Sequence, residues 1–151
     1  MTIAYRIALG LAVALLATGA HAQAQRETLE AKRVTTTELQ WVTGPTGNQT
    51  AAIAGDQKKN GMYIYRTRFP AGFRNKPHYH PDDRIVTIMQ GTLYVGYGEQ
   101  MDDGAMKALP AGSIFTEPSK QVHYVWAKDG EVIIQVIGTG PSATVQVQPK
   151  P

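Results

Sequence analysis

The chain has 151 residues and no cysteine, and its 15 Lys and Arg against 12 Asp and Glu give a formal net charge of +3. This length leaves room for one domain with a real core. The absence of cysteine excludes disulfides, thiolate nucleophiles and cysteine-ligated zinc sites. The basic residues are dispersed and accompany neither a basic helix nor an aromatic stacking platform, so we expect a solvated face and no nucleic-acid partner.

The N-terminal segment has the pattern of a secretory signal peptide. Arg6 precedes an apolar run over 7–16, and small residues in Ala-x-Ala order follow at 20–24, as at a cleavage site. The run is short for a membrane span, which needs about 20 apolar residues; an uncleaved anchor is the alternative. We therefore expect residues 1–24 to be removed and the mature protein to be exported, periplasmic or secreted, without membrane contact.

The rest of the chain divides into an N-terminal arm with the first strands, over 25–60, and a barrel over 61–148. In the barrel, short runs of aromatic and β-branched residues alternate with Gly and Pro. They predict strands at 62–69, 84–89, 92–97, 113–116, 123–126, 131–137 and 144–147, with a polar loop at 101–107. Short strands at close intervals, without an amphipathic helix, are typical of an all-β sandwich or barrel.

Two histidines, His78 and His80, lie between the first two barrel strands. Side chains alternate between faces along an extended segment, so both imidazoles point the same way. A third, His123, begins a later strand, and three imidazoles that converge inside a barrel form a nitrogen-rich site suited to zinc, iron, copper or nickel. The alternative is that the first two are surface residues beside a turn; His123 and the glycines that frame the segment favour the metal site.

The spacing of these residues resembles the two motifs of the cupin family, in its small, single-domain, cupin-2-like form. The matching residues are Gly72, His78, His80 and Gly91 for the first motif and Leu109, Pro110, Gly112, Pro118 and His123 for the second. The resemblance implies an all-β, single-domain double-stranded β-helix (jelly-roll) barrel with a divalent transition metal, which is Fe, Zn, Mn, Ni or Cu. It also implies a homodimer that covers exposed edge strands. It names no reaction, because one fold hosts many chemistries.

The sequence departs from the first motif at Arg84, which stands where cupins usually have a glutamate ligand. A guanidinium stays charged and cannot bind a metal. Arg84 either turns away and pairs with Asp82 or Asp83, or binds a carboxylate or phenolate of a substrate, or serves as an anion hook in a metal-free site. A plain surface arginine is the fourth alternative.

Glu117 is the residue that could restore the missing carboxylate. It shares a strand face with Phe115 and lies near the segment that delivers His123. If this face points inward, Glu117 is a fourth metal ligand or a general base; if it points outward, Glu117 is a surface acid beside a turn. The candidate catalytic residues are therefore Glu117 and Arg84, and the candidate metal ligands are His78, His80, His123 and Glu117.

Two classes of function fit this pattern. The first is a metal-dependent enzyme, dioxygenase-like or lyase-like, in which an open metal position takes a small organic substrate and Glu117 or Arg84 handles protons or charge. The second is a non-catalytic module that binds a metal or a small ligand, with Arg84 as an anion hook; a storage-type structural cupin ranks third. No nucleophile elbow or P-loop names a reaction. The aromatic candidates for a pocket are Tyr63, Tyr65, Tyr97 and Trp126.

Overall fold

The computed structural model of the protein describes residues 28–147, and the expected signal peptide lies outside these residues. The described chain is built almost entirely of strands, with two short 3-10 turns at Thr36–Glu38 and Asp103–Ala105. The strands are β1 (Val42–Thr43), β2 (Gln49–Ala54), β3 (Gly61–Phe69), β4 (Arg74–Tyr79), β5 (Arg84–Gln90), β6 (Thr92–Tyr97), β7 (Lys107–Pro110), β8 (Ile114–Glu117), β9 (His123–Trp126), β10 (Val132–Gly140) and β11 (Val145–Gln146).

The strands form two antiparallel sheets, as the all-β jelly-roll prediction requires. The order in the six-stranded sheet is β1-β2-β3-β10-β5-β8, and the order in the five-stranded sheet is β11-β4-β9-β6-β7. Buried side chains of both sheets form one core cluster, which includes Val86, Ile88, Leu93, Val95 and Val125. No helix within residues 28–147 is long and apolar enough to cross a membrane.

Side-chain alternation along β10 identifies the inner face of the six-stranded sheet. Val132, Ile134 and Val136 are buried, whereas the residues between them are partly exposed. Because β10 pairs with β3 on one side and with β5 on the other, inward positions of neighbouring strands line up in rows across the sheet. One such row, called the Arg84 row below, consists of Tyr63, Gly138, Arg84 and Glu117.

The sequence does not predict β2 or β7. The alanine-rich β2 has little intrinsic strand preference, and it forms because its backbone pairs with β3, which buries Ala51. β7 begins at the last residue of the expected polar loop and pairs with β6. Six of the seven predicted barrel strands agree with the observed bounds to within one residue at each end, whereas β10 continues to Gly140 because β3 offers it partners as far as Gly61.

Candidate metal centre

The three histidines meet inside the barrel. His78 on β4 and His123 on β9 are direct cross-strand partners, and His80 follows β4 after Tyr79. All three are at most 4% exposed, and one ring nitrogen from each lies within 4.8 Å of the other two. The structure thus brings together the three histidines that the sequence singles out, and none of them is a surface residue.

Backbone carbonyls fix the tautomer of each imidazole. Nδ1 lies 2.7 Å from the Lys76 oxygen in His78, 2.7 Å from the Ala143 oxygen in His80 and 3.1 Å from the Gln121 oxygen in His123. A carbonyl oxygen only accepts hydrogen bonds, so each Nδ1 carries the proton and, in a neutral ring, Nε2 keeps the lone pair. Hydrogen bonds of this kind orient imidazoles for metal binding.

Burial keeps two of the rings neutral. Removal from water, with a further effect of the neighbouring His123, lowers the pKa of His78 to about 4. Burial, with a further effect of Arg84, lowers the pKa of His80 to about 4 as well. Near neutral pH both rings therefore keep an unprotonated Nε2, which is the form that a metal ion requires; in His78 this nitrogen lies 3.5 Å from the Asn75 amide nitrogen, which can donate to it.

Glu117 faces the same point as the histidines. It ends β8 on the inward face that it shares with Phe115, and it is only 5% exposed. Its Oε1 lies 3.1 Å from Nε2 of His123, and its Oε2 lies 3.6 Å from Nε2 of His80. Burial raises the pKa of this carboxyl, but His123, Arg84 and His80 together outweigh burial and lower the pKa to about 2. The carboxylate is therefore ionised.

The residues present fit a divalent metal ion. Since Nδ1 of His123 donates to a carbonyl, a neutral ring directs a lone pair from Nε2 at the Glu117 carboxylate across 3.1 Å. This buried Nε2 has no hydrogen-bond partner in the described part of the chain when the ring is neutral, and either a proton or a metal cation between the two atoms removes the conflict. Ligands about 2.1 Å from a metal lie about 3.0 Å apart in octahedral geometry and about 3.4 Å apart in tetrahedral geometry. The Glu117 oxygens are already close to these spacings, whereas the three ring nitrogens, which lie within 4.8 Å of one another, would have to draw closer around an ion.

Arg84 is buried, at 6% exposure, and its guanidinium is paired on several sides. Its Nη1 lies 3.4 Å from Oε2 of Glu117, its Nε lies 3.6 Å from Oδ1 of Asp82, and its Nη2 donates to the Ser142 hydroxyl at 2.7 Å. Arg84 is therefore not a surface residue, and of its two expected acidic partners it pairs with Asp82. Asp83 is exposed and accepts a hydrogen bond from the Ser119 backbone instead.

Arg84 and Glu117 are direct cross-strand partners in the Arg84 row. Glu117 on the neighbouring strand β8 therefore places a carboxylate beside the histidines, although the residue at position 84 is an arginine.

Asp82, which the sequence offers as a possible partner of Arg84, also binds two other residues beside the site. It is buried, accepts from the Ser142 hydroxyl at 2.5 Å and accepts a second hydrogen bond from the Tyr63 hydroxyl. Burial and this bond to Asp82 raise the pKa of Tyr63 to about 12, so the phenol remains a donor. The Tyr63 hydroxyl extends over Gly138, where a Cβ would lie 2.3 Å from it. No local motif could indicate Ser142, which is 60 residues from Asp82.

The three histidines, Glu117 and Arg84 line a cavity of about 230 Å³. Of the four aromatic candidates, Tyr65 lines the cavity, while Tyr63 stacks on Tyr65 with 5.8 Å between ring centroids. Tyr97 is exposed, and Trp126 lies under the guanidinium of Arg74. The further polar side chains on the cavity lining are Asn48, Thr50, Gln57, Thr67, Asn75, Ser142 and Thr144, and the larger apolar ones are Phe69, Phe115, Val125, Ile134 and Val136.

Known proteins that resemble this chain share its fold. The putative germin-like protein 8-1 of Oryza sativa subsp. japonica is 33% identical over 72 residues, which are 46% of this chain and 33% of that protein. The match therefore spans about a third of the length of this curated relative. The polyketide cyclase RemF of Streptomyces resistomycificus superimposes with a TM-score of 0.66 at 14% identity, over 80% of this chain and 88% of that chain.

A recombinant oxalate oxidase in complex with glycolate superimposes with a TM-score of 0.53 at 24% identity, over 70% of this chain and 57% of that chain. At such identities these structures show the fold alone. The sequence model of the family described as "Cupin" matches residues 27–150, which is most of the chain. Together with the two-sheet barrel and the buried histidines, this match shows that the chain belongs to the cupin family.

Proposed function

We propose that the protein is a metal-dependent cupin enzyme that acts on a small organic molecule. In this proposal His78, His80 and His123 hold one divalent transition metal and Glu117 is the fourth ligand. The observation that carries the proposal is the convergence of three Nε2 atoms and one buried carboxylate, with Glu117 at 3.1 Å and 3.6 Å from two of the histidines. Imidazole and carboxylate ligands suit Fe, Zn, Mn, Ni or Cu.

The residues around the four ligands give each of them one orientation. Arg84 holds Oε2 of Glu117, and Asp82 and Ser142 hold Arg84 in turn. This arrangement limits rotation of the carboxylate and sets two buried carboxylates against one guanidinium. The excess of one negative charge is one that a bound metal cation would offset. A divalent ion in the site would supply Lewis-acid chemistry by polarising a bound oxygen.

The cavity supports an enzyme over a closed metal store. All four proposed ligands line it, so a small molecule can approach the centre of the ligand set from the cavity side. An ionised Glu117 at this position either stays a ligand or accepts a proton from the bound molecule. We propose dioxygenase-like or lyase-like chemistry, since one fold neighbour is described as an oxalate oxidase and another as a DMSP lyase.

The alternative, a non-catalytic module with Arg84 as an anion hook, has less support. Arg84 already faces the carboxylates of Asp82 and Glu117 and the hydroxyl of Ser142. An incoming anion would have to displace these partners and leave a carboxylate buried without its cation, which costs about 3–5 kcal/mol.

Cobalt(II) titration followed by visible absorption tests the proposed function. The proposal predicts saturation at one ion per chain, weaker binding by Glu117→Gln, and a changed spectrum when phenols, β-diketones or hydroxy acids are added. Oxygen uptake and mass spectrometry of the same mixtures with iron- or manganese-loaded protein then detect turnover. A spectrum that no organic compound changes would contradict an open site, and a response without any turnover would favour the binding module.

We also propose that the mature protein is exported and dimeric. The signal-like residues 1–24 support export, and the edge strand β8 supports a covered interface because its Ile114 is 62% exposed. Exposed apolar edges are commonly covered by another chain. N-terminal sequencing of protein from the extracytoplasmic fraction tests cleavage near residue 22 or 24, and light scattering of wild type and Ile114→Lys tests the dimer.

A further inference from the structure

Three hydroxyl side chains form one wall of the cavity. Thr50 on β2 and Thr67 on β3 are cross-strand partners, and Tyr65 lies two residues before Thr67 on the same face of β3. All three line the cavity. We call Thr50, Tyr65 and Thr67 the hydroxyl wall.

The hydroxyl wall has unused hydrogen-bonding capacity. None of its three side-chain hydroxyls bonds to another residue within 28–147. Buried or half-buried hydroxyls in folded proteins almost always have a partner, since an unpaired one carries a desolvation cost. Burial raises the pKa of Tyr65, so its phenol is a proton-bearing donor at neutral pH. These hydroxyls are therefore available to water or to a molecule that enters the cavity.

The hydroxyl wall carries no charge, and the cation that interacts with its Tyr65, Arg84, already faces two carboxylates. Among the described residues that line the cavity, Arg84 is the sole arginine or lysine, and the carboxylates of Asp82 and Glu117 face its guanidinium. A carboxylate placed against the wall would therefore be buried without a counter-charge, which is strongly unfavourable. The wall suits an uncharged hydroxyl or carbonyl oxygen.

An apolar strip lies between the two threonines of the hydroxyl wall and the charged Arg84 row, and Tyr65 stands at the end of this strip. Tyr65 pairs with Val136 on β10, Val136 pairs with Val86 on β5, and Val86 pairs with Phe115 on β8. Val136 and Phe115 line the cavity. The surface between the two polar regions therefore suits a carbon skeleton. The cavity of about 230 Å³ is smaller than pockets for drug-sized ligands, which begin at about 300 Å³.

We propose that the site takes a small organic molecule with two separate oxygen functions, which rests on the proposed metal site. One oxygen group, with a charge of at most −1, binds at the metal site formed by His78, His80, His123 and Glu117. The other is an uncharged hydroxyl or carbonyl oxygen that hydrogen-bonds to Tyr65 and Thr67. The hydrocarbon between them packs on Phe115 and Val136.

Three matched six-carbon probes test this proposal by calorimetry on cobalt-loaded protein. Hexanoate has one carboxylate, 6-hydroxyhexanoate adds an uncharged hydroxyl at the far end, and adipate adds a second carboxylate there. The group at the far end of the six-carbon chain is too distant to form a small chelate ring with the first carboxylate at the metal. Differences in affinity between the probes therefore report on contacts with the hydroxyl wall. We expect 6-hydroxyhexanoate to bind about three- to tenfold more tightly than hexanoate, the value of one or two hydrogen bonds, and adipate to bind more weakly than 6-hydroxyhexanoate.

Variants separate the hydroxyl wall from the metal site. Tyr65→Phe and Thr67→Val each remove one hydroxyl with little change of shape and should erase the preference for 6-hydroxyhexanoate over hexanoate. Tyr97→Phe, which removes an exposed hydroxyl that donates to the Thr116 carbonyl, should keep the preference. Cobalt content of each sample is measured in parallel. Two results with cobalt-loaded protein would overturn the proposal and leave the metal site standing: equal affinity for hexanoate and 6-hydroxyhexanoate, or highest affinity for adipate. Failure of the protein to load cobalt would overturn the metal site itself.

Discussion

The pairing of Arg84 with Glu117 across one rung of the sheet gives the sharpest prediction about the site. If Glu117 replaces the carboxylate that cupins usually carry at position 84, then moving the charge back should preserve metal binding. We therefore compare Glu117→Gln, which removes the charge, with the double substitution Arg84→Glu and Glu117→Arg, which exchanges the two residues. Both changes affect a buried pair of direct cross-strand partners.

The structure sets the size of the expected effect. Glu117 lies between a guanidinium at 3.4 Å and the nitrogens of two histidines at 3.1 Å and 3.6 Å. Loss of one member of a buried, hydrogen-bonded charge pair costs about 2–5 kcal/mol in binding. At about 1.4 kcal/mol for each tenfold change, the metal Kd of Glu117→Gln should rise between about 30-fold and 3,000-fold. The exchanged variant should recover to within about tenfold of wild type.

Competition with a chromophoric chelator for zinc measures these affinities, and circular dichroism confirms that each variant is folded. The control is Tyr97→Phe, which leaves the charged row untouched. The reasoning is refuted if Glu117→Gln binds zinc as tightly as wild type, or if the exchanged variant binds no better than Glu117→Gln.

Three further predictions concern the residues around the ligands and the metal itself. Gly138→Ala places a Cβ 2.3 Å from the Tyr63 hydroxyl. Overpacking and the loss of the hydrogen bond from Tyr63 to Asp82 should lower the free energy of unfolding by about 2–5 kcal/mol in a denaturant titration. The control substitution at the exposed Thr139, Thr139→Ala, should change it by less than about 0.5 kcal/mol. Ser142→Ala removes the hydroxyl that joins Arg84 to Asp82 and should weaken zinc binding about tenfold in the chelator assay. Chelation of the metal should lower Tm by about 10 °C or more in a calorimetric scan, because a ligand at about 1,000 times its Kd adds about 4 kcal/mol of stability; an unchanged Tm would argue against a bound ion.

The parts of the fold and site that the sequence predicts are those that depend on local patterns. Alternation along an extended segment places His78 and His80 on one side, and the same rule places Glu117 with Phe115. The structure agrees, because a strand with one buried face leaves its side chains no other register. The family resemblance supplies what alternation cannot, which is that His123 lies opposite His78.

The features that the sequence misses depend on contacts between distant parts of the chain. Ser142 has no motif, yet it joins Asp82 to Arg84 from 60 and 58 residues away. The carbonyl of Ala143 orients His80 from 63 residues away. The strand β2 escapes prediction for the same reason, since the pairing with β3 outweighs the weak strand preference of alanine.

The position of Arg84 shows why one unusual residue leaves several alternatives open. The sequence offers pairing, substrate binding, a metal-free anion site or simple exposure. The choice between them depends on the direction of one long side chain, which the register between β5 and β8 determines by placing Glu117 directly opposite.

Elemental analysis of protein purified without an affinity tag tests the central claim most directly. Wild type, His78→Ala and Tyr79→Phe are compared, since Tyr79 neighbours His78 in β4 but does not line the cavity. The account predicts close to one transition-metal ion per chain in wild type and in Tyr79→Phe, and a loss of the metal in His78→Ala. Wild-type protein that holds no metal even after reconstitution, or His78→Ala protein that holds as much as wild type, would contradict it.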